Sequence, residues 1–203
     1  MTLTDQSAQV RPGEELDAAL IDQYLKAHIQ GLGGMPKVSQ FPGGASNLTY
    51  LISYPDRDLV LRRPPFGQKA KSAHDMGREF RILNQLNSGF PYCPKAYAHC
   101  TDPSLIGSEF YVMERVRGII LRSDLPPQLN LDPDRTEALC KSFIDRLVEL
   151  HQVDYHACGL ADLGRPEGYV QRQVEGWSSR YEKALTPDAP RWTRVVEWLR
   201  EKQ

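Results

Sequence analysis

Between Phe41 and Leu83 the chain sets a glycine-rich turn, a pair of arginines and a helical glutamate in one order, and that order restricts the fold more than any other feature. The segment Phe41-Pro-Gly-Gly-Ala-Ser-Asn-Leu-Thr-Tyr-Leu joins two β-prone stretches. Asp58-Leu-Val-Leu-Arg-Arg-Pro-Pro then supplies cations on the next strand, and Arg78-Glu-Phe-Arg-Ile-Leu carries a carboxylate on a helix. Gly43 and Gly44 free the backbone for positive φ angles and for close approach to a ligand, while Ser46 and Asn47 add small donors beside exposed amides. Such a loop can wrap a polyphosphate. Taken alone, the Gly-Gly pair reads better as a hairpin whose glycines serve only the turn. The downstream residues tip the balance toward phosphate.

Arg62 and Arg63 alternate along a strand, so one points across the sheet toward the cleft and the other toward solvent or a helix layer. Glu79 shares its helix with Phe80 and Leu83 but stands one position off their stripe, where it can pair with a cation at the edge of the packed face. An ion pair between Arg62 and Glu79 would fix the direction of that cation.

The rest of the chain divides into a mixed part and a helical part. Glu14 to Ile29 carries Leu16, Leu20 and Tyr24 at helical spacing and ends before Gly31. Strands are expected in the stretch from Lys37, at Leu48 to Tyr54 and at Leu59 to Arg63, the last two joined by Pro55-Asp56-Arg57. Ser72 and Asp75 resemble a capping box for a helix with Met76, Phe80 and Leu83 on its core face, ending near Ser88-Gly89. Further strands fit Lys95 to Cys100 and Glu109 to Val116. Pro126-Pro127 and Pro133 mark a connector. Leu139, Phe143, Leu147 and Leu150 then predict a buried helix from Pro133 to Val153, followed by amphipathic helices over Tyr169 to Ala184 and Arg191 to Lys202. The expected organisation is an N-terminal segment with a packing helix (1–36), a nucleotide-binding lobe (37–118), a connector (119–132) and an incomplete helical lobe (133–203).

With 25 basic and 26 acidic residues, the formal net charge of -1 gives no surplus that would favour nucleic acid or an anionic membrane as partner. No apolar run reaches the roughly 20 residues of a membrane span, and the polar start lacks a secretory apolar region, so a cytoplasmic protein is expected. Cys93, Cys100, Cys140 and Cys158 lack C-x-x-C spacing, so reduced thiols and no metal bound by protein ligands alone are expected. Packing is the better reading of Cys93, His99 and Cys100, and also of His151 at its helix end. Trp177 and Tyr181, four residues apart, fit core packing better than an acceptor site.

The segments Gly-Gly-Ala-Ser-Asn-Leu-Thr-Tyr and Leu-Arg-Arg-Pro-Pro resemble the amino-terminal lobe of the aminoglycoside phosphotransferase family, whose members share a bilobal protein-kinase-like fold. They are most similar to the phosphotransferase-like domains fused to, or named after, acyl-CoA dehydrogenase family members. The resemblance covers nearly the whole chain from Gln40, including Leu150-His151. It implies an α+β fold with an antiparallel sheet and helix in the first lobe. It also implies that Gly43, Gly44, Ser46 and Asn47 form the nucleotide loop, that Arg62 replaces the usual strand lysine with Glu79 as its helix partner, and that Met113, Glu114, Arg115 and Val116 form the hinge beside adenine. The implied activity is transfer of the γ-phosphoryl of ATP, with Mg2+, to a hydroxyl of a small molecule. Acceptors across the family include aminoglycosides, choline-like alcohols and homoserine-like metabolites, and the subgroup hints at a hydroxy acid or its acyl-CoA ester.

Two departures qualify the resemblance. Arginine offers a planar fork where lysine offers a compact ammonium. None of His28, His74, His99, His151 or His156 is followed by Gly-Asp, so the family's catalytic loop and its magnesium-binding aspartate have no match. The sequence is therefore expected to stop before its catalytic half and to be inactive alone, with magnesium ligands supplied from outside it. Its C-terminal helices should expose Trp192, Val195, Val196 and Leu199 and could promote oligomers. A non-catalytic nucleotide-binding or interaction module is the competing reading. An unrelated mixed α+β domain is a third.

Overall fold

The computed structural model describes residues 4–42, 47–66, 74–122 and 125–202. Five antiparallel strands, β1 (Lys37–Gln40), β2 (Leu48–Ser53), β3 (Asp58–Arg63), β4 (Ala96–Cys100) and β5 (Phe110–Glu114), form one sheet in the order β1-β2-β3-β5-β4. The β2 to β3 hairpin closes where expected, with the Tyr54 amide donating to the Arg57 carbonyl at 2.8 Å. Strand alternation gives the sheet two distinct faces. Leu48, Tyr50, Ile52, Leu59, Leu61, Phe110 and Val112 line one face and are buried together with Ile21 and Leu25 of helix α1 (Ala18–His28) and its C-cap residue Ile29. The other face carries Thr49, Val60, Arg62, Tyr111 and Met113.

Helix α1 begins later than its periodicity suggests, because Asp17 caps it, accepting from the Ala19 and Leu20 amides. Its buried stripe is also rotated by one position from the expected one: Ile21 and Leu25 are fully buried, while Leu20 is exposed. A buried carboxylate, Asp22, interrupts the apolar pattern. It is satisfied by the Tyr54 hydroxyl at 2.9 Å and Lys26 Nζ at 2.7 Å.

Helix α2 (Met76–Leu86) lies on the Arg62 face. Asp75 is its N-cap, accepting from the Arg78 amide at 2.8 Å, so the expected capping box is corrected: Asp75 is the capping residue itself, and Ser72 lies outside the described residues. Phe80 stacks on the His99 ring with centroids 5.4 Å apart. Gly77 permits that approach, since a Cβ there would sit 3.2 Å from His99 Cε1.

The chain divides into two compact units, 1–159 and 160–203. The first contains α3 (Pro133–His151), which forms over the expected span but does not bury its apolar stripe: Leu139, Leu147 and Leu150 are exposed, and Phe143 is 67% exposed. Its N-terminus is set by Asp132, which accepts from the Arg135 amide at 2.8 Å, with Pro133 in the first turn. In the second unit α4 (Tyr169–Ala184) and α5 (Thr193–Glu201) are joined by a forked ion pair from Arg200 to Glu175 at 2.9 and 2.8 Å. Trp177 and Tyr181 are exposed on α4, contrary to the expected core packing, and Trp192, Val195 and Leu199 are exposed as well. Among the described residues no helix is long and apolar enough to cross a membrane.

Candidate functional site

Strand register builds the site. Thr49 pairs with Arg62, Arg62 with Tyr111 and Tyr111 with His99, so these four residues form one row across the sheet. Two positions along, Leu51, Val60 and Met113 form a second, apolar row. At about 3.3 Å per residue the rows lie roughly 7 Å apart on one face. An apolar platform and a cationic row therefore stand side by side.

A cleft of about 1260 Å³ opens over Val60 and Met113 of the apolar row, lined also by Phe41, Thr49, Glu114 and Val116, among others. Its far side is closed by Thr4, Asp5 and Gln6. That segment is held by a two-bond bridge between Ala8 and Gln40 and by a forked contact from Arg122 to Asp5 at 3.0 and 2.8 Å. The chain leaving β5 is fixed at both sides. The Glu114 amide donates to the Lys95 carbonyl at 2.8 Å, and Arg115 and Arg117 each reach Asp58 Oδ2 at 2.8 Å. Burial alone would raise the Asp58 pKa, but hydrogen bonds from Ser53, Arg115 and Arg117 hold it below the usual carboxylate range.

In the cationic row, Arg62 Nη2 stands 3.5 Å from Glu79 Oε2. Glu79 has two better partners: Asn47 Nδ2 donates to Oε1 at 3.0 Å and the Tyr111 hydroxyl donates to Oε2 at 3.0 Å. Burial is the main cause that pushes the Tyr111 phenol well above its ordinary pKa, so it remains a donor. Arg62 Nε is buried and, among the described residues, has no hydrogen-bond partner. A buried donor left this way carries a desolvation cost that an anion at the site would relieve. The residues present thus fit a phosphoryl oxygen beside Arg62. Among the described residues no group of three His, Cys, Asp or Glu side chains stands close enough to hold a metal ion.

The neighbouring Arg63 has a different role. It faces the α1 side, is 1% exposed, donates to the Ile106 carbonyl at 2.7 Å and lies 3.9 Å over the Phe66 ring. Cys93 and Cys100 turn to separate carbonyls, of Phe90 and Asp102, and His99 to the Phe80 ring.

The sequence profile of the phosphotransferase enzyme family matches residues 37–203. The chain belongs to that family. Acyl-CoA dehydrogenase family member 11 of Rattus norvegicus is 34% identical over 204 residues, covering 98% of this chain and 26% of the relative. Acyl-CoA dehydrogenase family member 10 of Mus musculus is 38% identical over 187 residues, covering 89% and 17%. The chain therefore spans about a quarter or less of the length of these curated relatives. A crystal structure of a Ralstonia eutropha JMP134 protein assigned as an aminoglycoside phosphotransferase superposes with a TM-score of 0.74 at 31% identity, covering 92% of this chain and 54% of that one. The α+β fold of this chain is the kinase-like fold of that family.

Of the residues singled out from sequence, Arg62, Glu79 and Asn47 come together, and Met113, Glu114 and Val116 line one cleft beside them. Gly43, Gly44 and Ser46 lie outside the described residues. Sequence reasoning missed Tyr111, His74, Val60 and Asp58. Alternation from Arg62 would have placed Val60 on the same face. Tyr111 needed the β3 to β5 register, which no local pattern encodes.

Proposed function

We propose that this chain is the nucleotide-binding part of an ATP-dependent small-molecule kinase. In the intact protein it would transfer the γ-phosphoryl of ATP to a hydroxyl of a small metabolite, possible acceptors being a hydroxy acid or its acyl-CoA ester. The single observation carrying this reading is the pairing of two rows on one sheet face. Val60 and Met113 offer an apolar floor for a purine, and about two residues along the strands stands Arg62, whose Nε has no partner among the described residues, where a polyphosphate would lie. Glu114 and Val116 supply the edge of the cleft against which the base would lie. Gly43, Gly44 and Ser46, the glycine-rich turn of the sequence, would offer backbone amides to the phosphates. Family membership supports the reaction class.

On this reading the lobe boundary lies in the connector 119–132. Phosphoryl transfer depends on positioning and on charge neutralisation, and its magnesium ligands and catalytic aspartate would come from outside this sequence, which has no His-Gly-Asp triplet. The same absence favours a second reading, a nucleotide-binding module without catalysis. Calorimetric titration with Mg-ATP tests both. Saturable binding that Arg62→Ala weakens supports a nucleotide lobe, and no binding by the folded chain sinks it. Mixing with the intact protein's remaining segment and following ATP consumption then separates kinase from module.

A further inference from the structure

Resting on the nucleotide reading above, we infer that Asn47 and Tyr111 are positioning residues that hold Glu79, and through it Arg62, rather than ligands of the nucleotide. The ion pair that should orient Arg62 is long, 3.5 Å, and both side chains are about one-third exposed. An isolated pair of this kind orients a flexible arginine poorly. Glu79, however, is fixed independently of Arg62. Its Oε1 accepts from Asn47 Nδ2 at 3.0 Å and its Oε2 from the Tyr111 hydroxyl at 3.0 Å, so helix α2 is tied through one carboxylate to β5 and to the residue just before β2.

Asn47 is in turn fixed. With Nδ2 turned to Glu79, its Oδ1 accepts from His74 Nδ1 at 2.7 Å, which places the proton on Nδ1. His74 adopts a φ of 66°, a left-handed conformation uncommon for a residue with a side chain. Asn47 itself is 7% exposed, with both ends of its amide engaged. The chain His74, Asn47, Glu79 and Tyr111 thus forms a fixed acceptor against which Arg62 turns Nη2, which sets the direction of the rest of its guanidinium.

The test is a double-mutant cycle read by nucleotide affinity on the full chain. Tyr111→Phe and Asn47→Ala should each weaken Mg-ATP binding about threefold to tenfold, less than the full worth of a hydrogen bond to a charged group because the loss reaches the nucleotide only through Arg62. In an Arg62→Ala background the same substitutions should change affinity less than about twofold, because their effect passes through Arg62. Full additivity would overturn the proposal and make Asn47 or Tyr111 a direct ligand. An independent readout is the Arg62 Nε–H resonance in ligand-free protein. It should be resolved in the parent and averaged in Tyr111→Phe; an unchanged resonance also overturns the proposal. If the parent binds no nucleotide, the site reading itself fails and the inference falls with it. If the parent binds and Arg62→Ala weakens binding, only the positioning claim is at stake in the cycle.

Discussion

Adjacent arginines on β3 should give opposite phenotypes when truncated. Arg63→Ala removes a side chain that is 1% exposed, donates to the Ile106 carbonyl at 2.7 Å and covers Phe66. Losing a charge-assisted hydrogen bond costs about 1.5–3 kcal/mol, and the buried stem adds packing loss, so about 3 kcal/mol is expected. For a chain of this size that is roughly a 6–12 °C fall in Tm. Burial is the dominant influence on Arg63 and pulls its guanidinium below the ordinary value, and no carboxylate among the described residues forms an ion pair with it. Replacement by Met should therefore recover part of the loss. Arg62→Ala removes a 3.5 Å pair that is one-third exposed, worth about 0–1 kcal/mol, and Glu79 retains Asn47 and Tyr111. The same substitution should weaken Mg-ATP binding by about tenfold to a hundredfold, the worth of a charge-assisted phosphate contact. Thermal unfolding and calorimetry on both variants decide the matter. Equal loss of stability in both, or tighter dependence of nucleotide binding on Arg63 than on Arg62, would refute the division of roles.

Three further outcomes follow from the same geometry. Leu61→Ala, at a fully buried position in the α1-facing core, should cost about 2–5 kcal/mol in urea unfolding, and a cost under about 1 kcal/mol would mean that the core is not packed as described. Asp58 has a folded pKa below its unfolded value, so its stabilisation is complete above the unfolded value, near 4, and fades as pH falls through the folded one. Asp58→Asn should accordingly flatten the acid limb of a stability-against-pH curve, and an unchanged limb would contradict the Arg115 and Arg117 contacts. Asp5→Asn should loosen the segment along the cleft, seen as faster hydrogen exchange at the Ala8 and Gln40 amides, which bond each other's carbonyls at 2.8 and 2.9 Å; unchanged exchange would mean that Arg122 does not hold it.

What could be read from the residues, and what could not, divides along physical lines. The strands, the hairpin at Pro55-Asp56-Arg57 and the long helices were legible because they rest on local periodicity and turn chemistry. The Arg62 to Glu79 pair was legible because alternation on a strand and the offset on a helix fix which side chains can meet. The phase of α1 was not, since Asp22 occupies a buried position that only its tertiary partners Tyr54 and Lys26 make tolerable. The exposure of Phe143 on α3 was not legible either, because periodicity identifies an apolar stripe without saying what covers it. Tyr111 and His74 escaped notice because their role arises from strand register and from a side-chain chain crossing three elements.

The central claim is that nucleotide lies on the apolar row beside Arg62, and methionine methyl NMR tests it most directly. The chain has 4 methionines, of which Met113 lines the cleft and Met35 is exposed away from it. Titration with Mg-ATP should shift the Met113 methyl saturably and leave Met35 in place. A Met113 signal that does not move while the chain remains folded would contradict the placement of the site.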